Sequence, residues 1–167
     1  MTIFLCGFMG CGKSTVGRIL ANLLGVGYVD MDNYIEETEN MTIAEIFEKK
    51  GEQHFRMLET KAIEILSQKQ MVIACGGGAM LNDKNAEIAN KAGVVIFLDV
   101  PFNICYKRIS GDSNRPLVVN NTVEWLENLY NKRYPIYKAN SSISVTTSGT
   151  PNEVARNIFE LLTNNRG

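Results

Sequence analysis

Gly7-Phe8-Met9-Gly10-Cys11-Gly12-Lys13-Ser14 decides how this chain is read. The eight residues have the form G-x-x-x-x-G-K-[S/T]. A short apolar run, Ile3–Cys6, precedes them, and a helix-period pattern of Val16, Ile19, Leu20, Leu23 and Leu24 follows. Glycines in such a loop let backbone N–H groups converge on one point without interference from a Cβ. The start of the next helix adds the positive end of its dipole. Gly10, Cys11, Gly12, Lys13, Ser14 and Thr15 are therefore expected to cradle the phosphates of a nucleoside triphosphate. Lys13 would bring charge to the β- and γ-phosphates, Ser14 a hydroxyl to Mg²⁺, and Thr15 a donor to a phosphate oxygen. The loop alone serves kinases, switch GTPases and motor ATPases equally.

Outward from the loop, short apolar runs alternate with helical patterns. Strands are expected at Ile3–Cys6, Tyr28–Asp30, Met71–Cys75, Val94–Leu98 and Ile143–Thr146. Each is apolar on both faces, as strands of a parallel sheet covered by helices are. Leu58, Ala62, Ile65 and Leu66 recur at helical spacing, and Val154, Ile158, Leu161 and Leu162 repeat it. Thr150, Pro151 and Glu153 form the signature of a capped helix start, and Thr42 with Glu45 forms another. The alternation predicts an α/β fold with a parallel sheet between two helical layers. Ligands then bind beyond the carboxyl ends of the strands.

The chain has 167 residues, which suits one domain, and its 45% hydrophobic content is enough for a core rather than a disordered coil. Seventeen basic residues against eighteen acidic ones leave a net charge of -1. No global positive field exists to hold nucleic acid or an anionic membrane, so any anion must be caught by a local cluster. No run reaches the ~18 apolar residues of a membrane span, and Met1–Cys6 reads as a buried first strand rather than a signal peptide. The four cysteines form no Cys-x-x-Cys pair, and one histidine makes a zinc set improbable. Free thiols in a reducing cytoplasm are expected.

Several further residues invite a role. Asp30-Met31-Asp32 closes the second strand; on an extended segment both carboxylates would face one side, near the phosphates, though Asp32 could equally cap a helix. Gly76-Gly77-Gly78 follows the third strand and suits close approach of the backbone to a ligand, or simply a tight turn. Arg56 and Arg133 could hold a carboxylate bidentately, or be solvated surface residues. Glu59, three residues after Arg56, could fix its guanidinium. Ser110–Asn121 carries turn residues at both ends and a basic centre, as a lid or a plain surface loop would. Trp125, at helical spacing from Leu129, is expected to pack. Cys11 is expected to be oxidation-sensitive and without a catalytic role.

Together these elements resemble the shikimate kinase family along nearly the whole chain. Gly7–Thr15 looks like its ATP loop, and Asp30-Met31-Asp32 like its D-x-D element. Phe55-Arg56-Met57-Leu58-Glu59 is similar to its F-R-x-x-E motif, and Gly76–Gly78 to its triple glycine. Arg115-Pro116-Leu117 resembles its lid sequence, and Arg133–Tyr137 its R-x-P-x-Y segment. The resemblance implies one domain of the P-loop nucleoside-monophosphate-kinase-like fold: three layers, a five-stranded parallel sheet, a substrate region around 31–60 and a mobile lid around 110–121. It implies transfer of the ATP γ-phosphate to the 3-hydroxyl of shikimate by a cytoplasmic monomer of aromatic amino-acid biosynthesis.

Residue by residue, the resemblance implies catalytic roles for Lys13, Asp32 and Arg115. Phe55, Arg56, Glu59, Gly76, Gly77, Gly78, Arg133 and Asp32 would line the shikimate site. Arg115 would join the loop in binding ATP, Arg108 would pack on the adenine side of the nucleotide, and Ser14 and Asp30 would serve Mg²⁺. The sequence departs from the family pattern twice. Cys75 stands where Thr is usual before the triple glycine, and the loop around Ser148-Gly149-Thr150 lacks the Gln or Asn expected near adenine. The rivals are a gluconate or nucleoside-monophosphate kinase, and a guanine-nucleotide switch. Asn131-Lys132-Arg133-Tyr134 starts like a guanine-reading Asn-Lys-x-Asp but lacks the Asp.

Overall fold

A computed structural model describes residues 1–147 and 149–164. Ser148, in the loop expected on the adenine side, lies outside the described residues. Five parallel strands form one sheet: β1 (Thr2–Cys6), β2 (Gly27–Asp30), β3 (Met71–Ala74), β4 (Gly93–Asp99) and β5 (Ile143–Thr146), in the order β2-β3-β1-β4-β5. The five expected strands are all present, shifted by a residue or so at their ends.

The strands are joined by helices α1 (Lys13–Leu24), α2 (Met31–Glu39), α3 (Ile43–Lys50), α4 (Glu52–Leu66), α5 (Asp83–Ala92), α6 (Phe102–Ile109), α7 (Pro116–Val119) and α8 (Val123–Asn140), with a 3-10 turn at Ala79–Leu81. Helix α9 (Pro151–Asn164) follows β5 and packs on α1. From β1 the chain steps past β3 to β2; after β2 every step runs the other way across the sheet. Right-handed crossovers then put α1 on one face and α4, α5 and α8 on the other. The connections leaving β1 and β3 therefore diverge to opposite faces. Their carboxyl ends frame the crevice where a ligand binds in such sheets.

Both expected capping boxes are formed. Thr42 accepts from the Glu45 N–H while Glu45 accepts from the Thr42 N–H, and Thr150 and Glu153 do the same at the start of α9. The expected apolar stripes are offset in detail. In α4 the buried face runs through Phe55, Glu59, Ala62, Ile63 and Leu66, and Ile65 is exposed. Leu161 and Leu23 likewise face outward while Leu162 and Leu20 are buried. Trp125 does not pack: it is 42% exposed, because α8 turns Leu126 inward instead. Among the described residues no helix is long and apolar enough to cross a membrane.

Candidate active site

The Gly7–Gly12 loop is held from behind. Phe8 is buried, with its ring edge-on to Phe102 and Tyr130. Gly10 (φ 80°) and Gly12 (φ 98°) adopt left-handed backbone angles, and a Cβ on Gly10 would lie 2.7 Å from the Cys105 carbonyl oxygen. Only glycine meets both conditions there. Lys13 Nζ donates to the carbonyls of Gly7 (2.8 Å) and Phe8 (3.2 Å) and lies 3.6 Å from Cys11 Sγ. Burial opposes the Lys13 charge, but its neighbours Cys11, Tyr137 and Cys6 outweigh burial and hold the ammonium above its usual pKa. Cys11 points inward and is 3% exposed, which corrects the expectation of an oxidation-sensitive thiol.

The Asp30-Met31-Asp32 stretch is not extended as expected. β2 ends at Asp30, and α2 begins at Met31. Asp30, not Asp32, is the cap: its carboxylate accepts from the Asn33 N–H (3.2 Å). Its other oxygen accepts from the Ser14 hydroxyl at 3.1 Å. Asp32 sits in the first turn of α2, yet both carboxylates face one cavity of about 360 Å³ with Lys13 and Ser14. Burial raises the Asp32 pKa; Asp30 raises it further, while Lys13 and Arg56 pull it down. A carboxylate shifted that way is better matched to taking a proton near neutral pH.

The three glycines form the wall between this cavity and a second one of about 590 Å³. Gly76 and Gly77 face the first, and Gly78 faces the second together with Arg56 and Arg133. Four charged side chains press on this turn. A Cβ on Gly76 would lie 2.6 Å from Asp32 Oδ1 and 3.3 Å from Glu59 Oε2. A Cβ on Gly78 would lie 2.8 Å from Arg56 Cζ, and one on Gly77 would lie 3.6 Å from Arg133 Nη1. Here glycine serves close approach, not a turn angle. Arg56 Nη1 donates to Glu59 Oε1 at 2.6 Å. Glu59 is buried; burial lifts its pKa, and Arg56 draws it down without cancelling the rise.

Arg108 and Arg115 complete the first cavity. Arg108 Nη1 donates to the Gly10 carbonyl (3.0 Å), so its guanidinium lies on the phosphate loop. Arg115 Nε donates to Asp112 Oδ2 (3.0 Å). Cys75 also lines this cavity, and burial pushes its thiol well above the ordinary value, so it is a neutral, weak donor. Phe55 lines neither cavity. It is buried against Phe47, with Arg56 Cζ 5.5 Å from its ring centroid. The Asn131-Lys132 pair lies inside α8, and Lys132 lines the second cavity. Two contributors were not singled out from sequence. Asp112 restrains Arg115, and Tyr137, within the Arg133–Tyr137 segment, donates to the Gly77 carbonyl.

Ser14 and Asp30 supply two oxygens, and no group of three His, Cys, Asp or Glu residues suited to a metal occurs among the described residues. Such a sparse oxygen pair suits Mg²⁺, which takes its remaining ligands from water and substrate phosphates.

A family model described as shikimate kinase matches residues 9–163. Shikimate kinase of Sulfurihydrogenibium sp. (strain YO3AOP1) is 43% identical over 159 residues, 94% of this chain and 95% of that protein. Shikimate kinase of Thermodesulfovibrio yellowstonii is 41% identical, with 98% of each chain covered. The structure of Acinetobacter baumannii shikimate kinase in complex with shikimate superposes with a TM-score of 0.91 at 39% identity, covering 98% of this chain and 93% of that one. A deoxyadenosine kinase from M. mycoides, at 15% identity and a TM-score of 0.64, shares the fold.

Proposed function

The chain belongs to the shikimate kinase family, and from that membership we propose how its residues divide the work. The enzyme phosphorylates shikimate with ATP. The acceptor is the 3-hydroxyl, and the products are shikimate 3-phosphate and ADP, a step toward chorismate and the aromatic amino acids. One observation carries the assignment of residues. Arg56, Arg133 and Asp32 all converge on Gly76–Gly78, and that turn borders the cavity holding Lys13.

Shikimate is a small ring with a carboxylate and three hydroxyls. Arg56 and Arg133 take the carboxylate, whose charge they match from two directions. Glu59, held below them, fixes the angle of Arg56, and Phe55 supports the same guanidinium from its ring face. Asp32 accepts from the reacting hydroxyl and takes its proton as the new O–P bond forms and the bond to the ADP oxygen breaks. The Gly10–Thr15 loop, Lys13 and Arg108 hold the triphosphate. Ser14 and Asp30 hold Mg²⁺, which when bound offsets phosphate charge. Residues 31–60 form the substrate region, and Arg115 comes from the 110–121 segment, which acts as a lid, excluding water and adding charge at the transferring group. A cytoplasmic monomer suits the four free, buried thiols, and size-exclusion chromatography tests the monomer.

Adding shikimate to protein, ATP and Mg²⁺ should release ADP in a coupled assay. Gluconate and AMP should not replace shikimate. Release with either of them and not with shikimate would overturn the reading.

A further inference from the structure

Helix α8 reaches the triple-glycine segment with three residues on one face, spaced four and three apart. Arg133 lies beside Gly77. Tyr137 donates its hydroxyl to the Gly77 carbonyl at 2.5 Å. Asn140 Nδ2 donates to the Met80 carbonyl (2.9 Å) and to Asp83 Oδ1 (3.2 Å). Tyr137 is 1% exposed, and its ring packs on Phe97 of β4 with centroids 5.6 Å apart. Its hydroxyl is held to the Gly77 carbonyl, with the Arg133 guanidinium close beside it. Burial keeps the phenol protonated, with the nearby Arg133 charge only partly opposing it, so it acts as a donor.

Resting on the shikimate kinase reading above, we propose that Tyr137 is a positioning residue for the acceptor substrate: it fixes the Gly77–Gly78 peptide so that the Gly78 N–H faces the Arg56–Arg133 cavity. The peptide is trans, as all are among the described residues. In a trans peptide the C=O and the following N–H point in opposite directions. Holding the Gly77 carbonyl toward Tyr137 thus turns the Gly78 N–H the other way, and Gly78 lines the cavity with Arg56 and Arg133. Among the described residues neither the Gly77 nor the Gly78 N–H donates to another protein atom, so both remain available to a ligand. With no side chains to restrain it, a run of three glycines is the segment whose peptide planes rotate most easily. The Tyr137 bond removes that freedom before substrate arrives, which lowers the ordering cost of binding.

Tyr137→Phe deletes one oxygen and keeps the ring. It should raise the KM for shikimate by about five- to tenfold, the usual effect of one lost hydrogen bond with its partner left unpaired, and leave the KM for ATP unchanged. Tyr130→Phe is the control. Tyr130 donates from the same helix to the Val100 carbonyl (2.7 Å), away from the glycines, so it should leave the shikimate KM unchanged. An unchanged shikimate KM in Tyr137→Phe would overturn the proposal. So would an equal rise in Tyr130→Phe, which would signal a loosened helix. In the unmodified protein, shikimate should shift the Gly78 amide resonance among the most of any glycine; an unmoved resonance overturns the proposal even if the variant does not fold. Lack of ADP release by the unmodified protein with shikimate would instead bring down the family-level assignment on which this rests.

Discussion

Glu59 Oε1 accepts from Arg56 Nη1 at 2.6 Å, with Glu59 1% exposed and the Arg56 side chain 34% exposed. The pair is unequal. Glu59 has given up its hydration, and its second oxygen has no hydrogen-bond partner among the described residues. Arg56 still meets solvent and can turn a face toward an incoming anion. The buried partner thus serves as the fixed end of a lever whose free end holds substrate.

That inequality separates the two arginines. Arg56→Ala and Arg133→Ala should each raise the shikimate KM by about tenfold or more, as loss of one member of a desolvated charge pair does. Only Arg56→Ala should also lower stability, by about 1–2 kcal/mol, because it strands the Glu59 carboxylate and the pair is partly open to water. Arg133 holds no ion pair among the described residues. Thermal denaturation beside steady-state kinetics distinguishes the two, and equal losses of Tm would contradict the assignment.

The glycines should fail differently when given a Cβ. Gly78→Ala drives the Arg56 guanidinium aside and should raise the shikimate KM. Gly76→Ala pushes on Asp32 Oδ1, 2.6 Å from the new carbon, and should lower kcat. Gly77→Ala meets Arg133 Nη1 at an ordinary 3.6 Å and should be the mildest of the three in kcat/KM. Any other rank order would mean that the wall between the cavities is arranged differently.

Asp32 has a folded-state pKa above its unfolded value, chiefly through burial and then through Asp30. Between those two values the folded state binds more protons than the unfolded one, so stability falls as pH rises through the window. Its charged form therefore weakens the fold at neutral pH. Asp32→Asn should be more stable than the parent at pH 7.5, and the gain should vanish as pH drops below about 4, the usual Asp value. Activity should fall at the same time. Urea titrations across pH check this; a variant less stable at neutral pH would rule it out.

Arg115 is tied to Asp112 at a half-exposed site, where such a pair is worth little. It is free to leave for a phosphate. Arg115→Ala should lower kcat more than it weakens ATP binding, measured by turnover and by nucleotide titration. Equal losses would argue against a role confined to the transition state.

What could be read from residues alone was whatever depends on neighbours within a turn or two. The Gly7–Ser14 loop, five strands, the Thr42 and Thr150 caps and the pairing of Arg56 with Glu59 are all local, and all are present. Local patterns failed where an offset of one or two residues mattered: Leu126 rather than Trp125 faces the core, and Asp30 rather than Asp32 caps α2. Such offsets are set by which neighbouring element covers a helix, and periodicity does not contain that. Strand order decided the rest. Placing β3 beside β1 brings Gly76–Gly78 next to Lys13, and the crossovers on the far face bring α4 and α8 over those glycines from opposite sides. Residues as distant in sequence as Asp32, Arg56 and Arg133 meet there because contacts of that kind arise from packing and loop closure across the whole sheet. Tyr137 ends the Arg133–Tyr137 segment in sequence, but only the packing of α8 brings the Gly77 carbonyl to its hydroxyl.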